Sequence, residues 1–166
     1  RCQSEAQAAF GNGSLYVEQL IARARHIEIQ IVGDGTGAVS HLWERDCSLQ
    51  RRNQKLIEIA PSPLLDASIR DDMIDSALKL AGAVNYRGLG TFEFLVDEDH
   101  PGRFYFMEAN PRIQVEHTIT EEITGVDLVQ TQLQLFGGQS LTDLALDSAP
   151  TVRGFAIQAR INCETL

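Results

Sequence analysis

The chain is poor in cysteine, has fewer basic than acidic side chains, and lacks a long apolar run. Its cysteines, Cys2, Cys47 and Cys163, are odd in number and lack metal-ligand spacing. This pattern disfavours a disulfide framework or a cysteine metal site and is typical of a reducing compartment, so we expect a cytoplasmic protein in which the thiols have no role. With no stretch of about 18 apolar residues and no charged-then-apolar leader, we expect neither a membrane span nor a signal peptide.

The charge balance narrows the range of partners. Lys and Arg number 14 against 23 Asp and Glu, which gives a net charge of −9. A general nucleic-acid binder or a protein of anionic membranes needs the opposite balance, so we expect neither kind of partner. Small anions can still bind where arginines cluster locally.

Length and periodicity predict the fold class. The chain has 166 residues, 43% of them hydrophobic, which is enough for one domain-sized core. It begins without Met, within the apparent tail of a helix, so we expect an excised piece of a longer protein. Strands are predicted at 15–21, 26–32, 38–44, 90–96, from 104 and at 154–160, and helices at 68–81, with Ser68 opening a capping box, and at 128–136. Together they predict an α+β fold with a largely antiparallel sheet and packed helices.

Two carboxylates are predicted to meet on one hairpin. Glu93 alternates with Phe92 and Phe94 in a strand, a turn-rich segment follows, and the next strand contains Glu108. In an antiparallel hairpin the two carboxylates converge on neighbouring strands. They repel each other unless a cation lies between them or one is protonated, so the pair indicates a divalent metal.

Beyond Glu108 the chain continues with alternating polar residues. If the backbone stays extended, one face carries Glu108, Asn110, Arg112, Gln114 and Glu116. Carboxylate and amide oxygens suit Mg²⁺, and the guanidinium suits small anions. A solvated edge strand is the alternative. Pro111 and the apolar lead-in at 104–107 favour a buried strand with a metal-and-anion site at its exit.

Two further segments have both a functional and a structural interpretation. Residues 44–55 concentrate cations and amides after a predicted strand, which suits anionic groups beside a metal, although composition alone favours a solvated, salt-bridged loop. The glycines at 33–37 could cradle phosphate, but that requires a following helix, and a strand is predicted there. We therefore interpret 33–37 as a hairpin connection.

Four motifs in order resemble one family. They are HIEIQ at 26–30, ERDCSLQRR at 44–52, GTFEF at 90–94 and NPRIQVEH at 110–117. Over essentially its whole length the chain resembles biotin carboxylase, the ATP-grasp component of acetyl-CoA, propionyl-CoA, pyruvate and urea carboxylases. The resemblance implies that residues 1–150 form part of the ATP-grasp domain without its N-terminal portion. It implies that residues 151–166 begin the C-terminal domain.

The resemblance also implies roles for matching residues. The metal set for Mg²⁺ or Mn²⁺ is Glu93, Glu108 and Asn110, with both carboxylates bordering ATP. The other nucleotide contacts are Glu18, Gln19, Leu20 and Ile21 beside adenine, His26 at the ribose, and Gln50 and Asn53. Lys55, Arg112 and Val115 match the bicarbonate set. Glu116 matches the base that deprotonates bicarbonate. Arg160 matches the residue that stabilises the biotin enolate.

The implied reaction is ATP-dependent carboxylation of biotin with bicarbonate through carboxyphosphate. A carboxylate base beside an anion held by arginine makes bicarbonate a nucleophile, and a planar guanidinium stabilises the enolate. Two positions depart from the family's pattern: Asn53 replaces a common His, which puts its contact with ATP in doubt, and Gln19 replaces a common Lys.

The resemblance implies partners as well: a biotin-bearing carrier domain, a carboxyltransferase and a possible homo-oligomer of the parent protein. Without the domain portions that would precede and follow it, the fragment is expected to turn over little or not at all. The alternatives are another bicarbonate-activating ATP-grasp ligase, such as a carbamoyl-phosphate synthetase, and a non-catalytic nucleotide-binding module. The final carboxyl acceptor stays open.

Overall fold

The computed structural model describes residues 1–161. Residues 162–166, with Cys163 and the end of the segment expected to begin the C-terminal domain, lie outside the described residues. The elements in chain order are α1 (Cys2–Phe10), β1 (Ala24–Asp34), β2 (Val39–Arg51), β3 (Gln54–Ala60), α2 (Ala67–Ala83), β4 (Arg87–Asp97), β5 (Phe104–Asn110), α3 (His117–Thr124), α4 (Leu128–Phe136) and β6 (Ala156–Ala159).

Within the described part of the chain the strands form one sheet in the order β5-β4-β1-β2-β3-β6. Every neighbouring pair is antiparallel. The predicted α+β class with a largely antiparallel sheet is therefore confirmed. Short connections join the neighbours β1–β2, β2–β3 and β4–β5, whereas β1–β4 and β3–β6 pair across long stretches of chain. Residues 35–38 join β1 to β2, so the interpretation of this glycine-rich segment as a hairpin connection is also confirmed.

The β2–β3 hairpin was not anticipated from the sequence. Arg52 and Asn53 form its turn with φ angles of 53° and 61°, and a two-residue connection with two positive φ angles matches the twist of the flanking strands. The expectation that residues 44–55 follow a strand as a loop is wrong, because β2 continues to Arg51 and Lys55 already belongs to β3. Polar side chains of these strands therefore have defined directions, which a solvated loop would not give them.

The two faces of β1 carry different kinds of residue. Ile27, Ile29 and Ile31 are fully buried in an apolar cluster that includes Phe94 and, from α2, Met73. Glu28 and Gln30 alternate with these isoleucines and are also buried. Burial of each large apolar side chain contributes about 1.5–3 kcal/mol, so the apolar face stabilises the sheet while the opposite face is left to hold polar groups.

The predicted strand at 15–21 is wrong. The segment has no strand conformation, and the side chains of Val17 and Leu20 are 99% and 86% exposed. A strand requires a neighbour for its backbone hydrogen bonds, and no strand in residues 1–161 pairs with this segment.

Two other expectations need correction. β5 is not buried, since Phe106 and Met107 are 48% and 43% exposed; it is the outermost strand on its side and has a single neighbour. The N-cap of α2 is Asp66 and not Ser68, because the Asp66 carboxylate accepts a hydrogen bond from the Ser68 backbone N–H at 2.8 Å.

Across residues 1–161, every helix is too short or too polar to traverse a bilayer.

Candidate active site

A cleft of about 800 Å³ opens over the polar face of the sheet. Its volume falls in the usual range for small-molecule sites. The residues that line it come from β1, β2, β3, β4, β5, the chain between β5 and α3, and the segment after β6. They are Ala24, His26, Ser48, Gln50, Asn53, Gln54, Lys55, Glu93, Leu95, Met107, Glu108, Asn110, Arg112, Gln114, Val115, Glu116 and Arg160.

Lys55 contacts three carboxylates at the floor of the cleft. Its ammonium lies 2.6 Å from Glu28 Oε2, 2.7 Å from Glu116 Oε1 and 3.2 Å from Glu93 Oε1. Burial opposes the charge on Lys55, but the carboxylates outweigh burial and raise the pKa of Lys55 above its ordinary value. The lysine is therefore a permanent cation between groups from three different elements.

Glu116 is held from two sides. It is the N-cap residue of α3 and is buried. Lys55 Nζ lies 2.7 Å from Oε1, and Arg160 Nη2 donates to Oε2 at 2.7 Å. Burial alone would raise the pKa of Glu116, but the hydrogen bond and charge of Lys55 outweigh it, so the pKa lies below its usual value. Glu116 is thus an ionised carboxylate at neutral pH.

Arg160 has a second carboxylate partner. Its Nε lies 2.6 Å from Oε1 of Glu58, a fully buried residue of β3. Burial raises the pKa of Glu58, which the positive charge of Arg160 opposes. The guanidinium is therefore held between Glu58 and Glu116, which sets the plane that it presents to the cleft.

Glu93 and Glu108 are directly opposite each other on β4 and β5. The predicted convergence of this pair is confirmed. The amide Nδ2 of Asn110 lies between them, 2.9 Å from Glu93 Oε1 and 2.8 Å from Glu108 Oε1. This shared donor reduces the repulsion between the two carboxylates.

Glu93 is the more strongly held of the two carboxylates. Gln114 Nε2 donates to it at 2.7 Å, and His26 Nε2 is in contact with its other oxygen. Burial works against ionisation, but the hydrogen bond from His26, the charge of Lys55 and the hydrogen bond from Gln114 lower the pKa of Glu93 to about 2. Glu93 is therefore ionised under all ordinary conditions.

The residues present fit a hard divalent cation. Glu93, Glu108 and Asn110 offer two carboxylates and one amide on the same side of a hairpin, and such oxygens are what Mg²⁺ and Mn²⁺ prefer. Asn110 presents nitrogen to both carboxylates here. Rotation of the side-chain amide by half a turn would present oxygen to a cation placed between the acids.

Most of the site residues predicted from the sequence border the cleft. Those that do are His26, Gln50, Asn53, Lys55, Glu93, Glu108, Asn110, Arg112, Val115, Glu116 and Arg160. Gln50 Nε2 lies 2.8 Å from His26 Nδ1, which orients the ring whose other nitrogen contacts Glu93.

The residues expected beside adenine do not border the cleft: Glu18, Gln19 and Leu20 are exposed, and Ile21 is partly exposed. Their nucleotide contact stays a prediction.

The expected extended row from Glu108 to Glu116 is wrong. β5 ends at Asn110, and the chain then turns, so that Glu116 begins α3. Its members nevertheless reach the same cleft, because the turn brings Arg112, Gln114 and Glu116 back over the sheet.

Sequence reasoning missed the buried polar layer below the cleft. Arg45 has no exposed surface and donates to Glu28 Oε1 at 2.5 Å, Gln30 Oε1 at 2.8 Å and Thr120 Oγ1 at 2.8 Å. One signal could have revealed part of it: in the β1–β2 hairpin Glu28 pairs directly with Arg45, so opposite charges face each other across the two strands.

Comparison with known proteins defines the class of this domain. Residues 1–144 match the family described as "Carbamoyl-phosphate synthase L chain, ATP binding domain". The chain belongs to this family, and its fold is the ATP-grasp fold of the solved biotin carboxylases.

Within that class the chain is similar to biotin carboxylases, which confirms the resemblance drawn from its motifs. Pyruvate carboxylase of Aspergillus niger is 56% identical over 165 residues, which cover 99% of this chain and 14% of that protein. Biotin carboxylase of Nostoc sp. is 55% identical over 162 residues, which cover 98% of this chain and 35% of that protein.

A solved structure gives the same result. The biotin carboxylase domain of Hydrogenobacter thermophilus 2-oxoglutarate carboxylase, in complex with MgADP, ADP and bicarbonate, superimposes with a TM-score of 0.86 at 47% identity. That match covers 98% of this chain and 35% of the other. The chain therefore spans between a seventh and about a third of the relatives that it matches, 14% of Aspergillus niger pyruvate carboxylase and 35% of Nostoc biotin carboxylase.

Proposed function

We propose that this chain supplies the metal and bicarbonate half of a site for ATP-dependent carboxylation of biotin, within a biotin-dependent carboxylase. The observation that carries the proposal is the position of Glu116. Its two carboxylate oxygens contact Lys55 and Arg160 inside a cleft that also contains Glu93 and Glu108. A base, an anion site and a metal site thus share one small volume.

Glu116 is proposed as the base that deprotonates bicarbonate. Lys55 keeps its carboxylate ionised before substrate arrives. When bicarbonate binds beside Lys55, Arg112 and Val115, its negative charge competes for the same cations and raises the proton affinity of Glu116. The carboxylate then accepts the bicarbonate proton as the bicarbonate oxygen attacks the γ-phosphorus of ATP. The bond from that phosphorus to the β–γ bridging oxygen breaks, and the products are carboxyphosphate and ADP.

Glu93, Glu108 and Asn110 would hold Mg²⁺ or Mn²⁺ beside the ATP phosphates. When bound, the metal neutralises charge on the transferred phosphoryl group. On this chain's side His26 orients Glu93 and borders the ribose, and Gln50 holds the His26 ring. The MgADP and bicarbonate in the Hydrogenobacter thermophilus complex support these assignments.

Arg160 is proposed to stabilise the biotin enolate. Its Nη2 donates a hydrogen bond to Glu116 and Glu58 forms an ion pair with the same side chain, so the guanidinium is oriented before biotin arrives. A planar donor with a set direction is suited to an enolate oxygen, and Lys would not replace it. The adenine contact of residues 18–21 and the contact of Asn53 with ATP belong to the same proposal.

The wider assignments follow from the relatives. Biotin would be attached to a carrier domain, which would carry the carboxylated biotin to a carboxyltransferase. The parent protein would be cytoplasmic and could form a homo-oligomer. The isolated chain would turn over little, because it spans 14% of Aspergillus niger pyruvate carboxylase and 35% of Nostoc biotin carboxylase.

The test uses the parent carboxylase. We expect bicarbonate-dependent ATP hydrolysis that biotin stimulates, and Glu116→Gln should reduce its kcat by at least about 100-fold. Glu122→Gln, at an exposed position of the same helix, is the matched control and should leave kcat unchanged. A Glu116→Gln enzyme with the parent's rate would refute the role of the base.

A second candidate is a carbamoyl-phosphate synthetase, which the description of the matched family names. It also activates bicarbonate with ATP, so hydrolysis alone does not separate the two. Stimulation by biotin does, because only the biotin enzyme gains an acceptor. If calorimetry detects no Mg-nucleotide binding by the parent, a purely structural module is favoured instead.

A further inference from the structure

Arg45 lies beneath the cleft and outside its lining. It has no exposed surface, and neither do Glu28 and Thr120, to which it donates hydrogen bonds. A buried guanidinium is costly unless acceptors compensate for its lost hydration. Glu28 supplies the opposite charge, while Gln30, Thr120 and Thr91 accept further hydrogen bonds at 2.8, 2.8 and 3.4 Å.

The first connection from Arg45 to the cleft runs through Glu28. One carboxylate oxygen of Glu28 accepts from Arg45 Nε at 2.5 Å, and the other accepts from Lys55 Nζ at 2.6 Å. Lys55 then contacts Glu116 at 2.7 Å. Because both oxygens of Glu28 are occupied, the position of Arg45 determines where the Lys55 ammonium lies relative to Glu116.

The second connection runs through α3. Thr120 lies four residues after Glu116, which is about one helical turn, and its hydroxyl accepts from Arg45 Nη1 at 2.8 Å. Glu116 is the N-cap residue of this helix. The hydrogen bond between Thr120 and Arg45 therefore holds the first turn of α3 against β2. That turn begins at Glu116, so the bond also sets the position from which the Glu116 side chain reaches the cleft.

We infer that Arg45 is a positioning residue for Glu116: through Glu28 it places the cation that faces the base, and through Thr120 it places the helix that bears the base. The inference rests on the proposed role of Glu116. Arginine suits this role because its planar guanidinium donates hydrogen bonds to acceptors on β1 and α3 at the same time. The single ammonium of lysine cannot donate in both of these directions.

The experiment compares Thr120→Val and Arg45→Lys in the parent carboxylase. Thr120→Val keeps the shape of the side chain and removes the acceptor on α3. We expect kcat/KM for bicarbonate to fall about three- to tenfold in each variant, as for the loss of one hydrogen bond to a charged group, while KM for ATP stays within about twofold. Combining the two should cost no more than Arg45→Lys alone, because that variant has already lost the contact with Thr120.

Thr124→Val on the same helix is the matched control. Its hydroxyl donates to the Thr120 backbone carbonyl and accepts from the Val126 backbone N–H, and Arg45 donates to other side chains, so bicarbonate kinetics should not change. Thermal melting reports whether each variant is folded, and if Arg45→Lys does not fold, Thr120→Val alone decides the matter.

The outcomes separate this inference from the proposed function. If Glu116→Gln is inactive and Thr120→Val has the parent's kcat/KM for bicarbonate, the positioning role is wrong and the base is retained. Equal losses for bicarbonate and ATP in Thr120→Val would also overturn it, since they indicate only a less stable fold. An active Glu116→Gln enzyme would overturn both.

Discussion

Lys55 Nζ and Glu116 Oε1 lie 2.7 Å apart at the floor of the cleft and join β3 to the start of α3. The same ammonium contacts Glu28 and Glu93 from β1 and β4. One cation therefore contacts three buried carboxylates, two of which also pair with Arg45 or Arg160.

Removal of the Lys55 charge should destabilise the fold. Lys55→Met leaves Glu93 and Glu116 buried without this counter-ion, and we expect a loss of about 3–5 kcal/mol in the free energy of unfolding. Urea unfolding of the chain, followed by the fluorescence of Trp43, measures it. Adding Glu116→Gln should recover part of the loss, because it removes one of the carboxylates that then outnumber the remaining cations.

The control for that substitution is Lys79→Met at an exposed position of α2. It should change the free energy of unfolding by no more than about 0.5 kcal/mol. A cost below about 1 kcal/mol for Lys55→Met would contradict the central position of this charge.

Glu93 should contribute to the acid dependence of stability. Its pKa in the folded chain is lowered from 4.5 to about 2, so its contribution is complete above the unfolded pKa and is lost as pH falls toward the folded one. We expect the stability difference between the parent sequence and Glu93→Gln to be greatest above about pH 5, at most about 3 kcal/mol, and to shrink toward pH 2. A difference that is independent of pH would contradict the lowered pKa.

Metal binding should depend on Glu108. In the parent enzyme Glu108→Gln should raise the Kd for MgADP at least about tenfold, because one of the two facing carboxylates is lost. Isothermal titration calorimetry gives the value, with the exposed Glu122→Gln as control. Equal Kd values in the presence and absence of Mg²⁺ for the unchanged enzyme would rule out a metal at this pair.

Replacing Asn53, in the turn between β2 and β3, by any residue other than Gly should lower the stability of the fold. Asn53 has a φ of 61°, a conformation that costs most side chains about 1–2 kcal/mol. Asn53→Ala is expected to lower the free energy of unfolding by about 1 kcal/mol, and Asn53→Gly to change it by only a few tenths. If both variants have the parent's stability, the positive φ is not present in solution.

Local patterns predicted the elements that are formed by neighbouring segments. The alternation around Glu93 and the turn after it predicted the β4–β5 hairpin, and the glycines after β1 predicted the β1–β2 hairpin. Residues 15–21 were also expected to form a strand but form none, because a strand requires a neighbour that the local sequence does not supply. β5 was expected to be buried, and its edge position could not be inferred from its own composition.

By itself the sequence determined which chemical groups this domain carries and two of its hairpins, β1–β2 and β4–β5, because both depend on residues close together in the chain. The tertiary structure alone decided which groups meet. Lys55 contacts Glu28 and Glu116 across sequence separations of 27 and 61 residues, and Arg45 contacts Thr120 across 75. No local periodicity encodes such contacts, since they form only when sheet and helices pack and burial makes each charge require its partner.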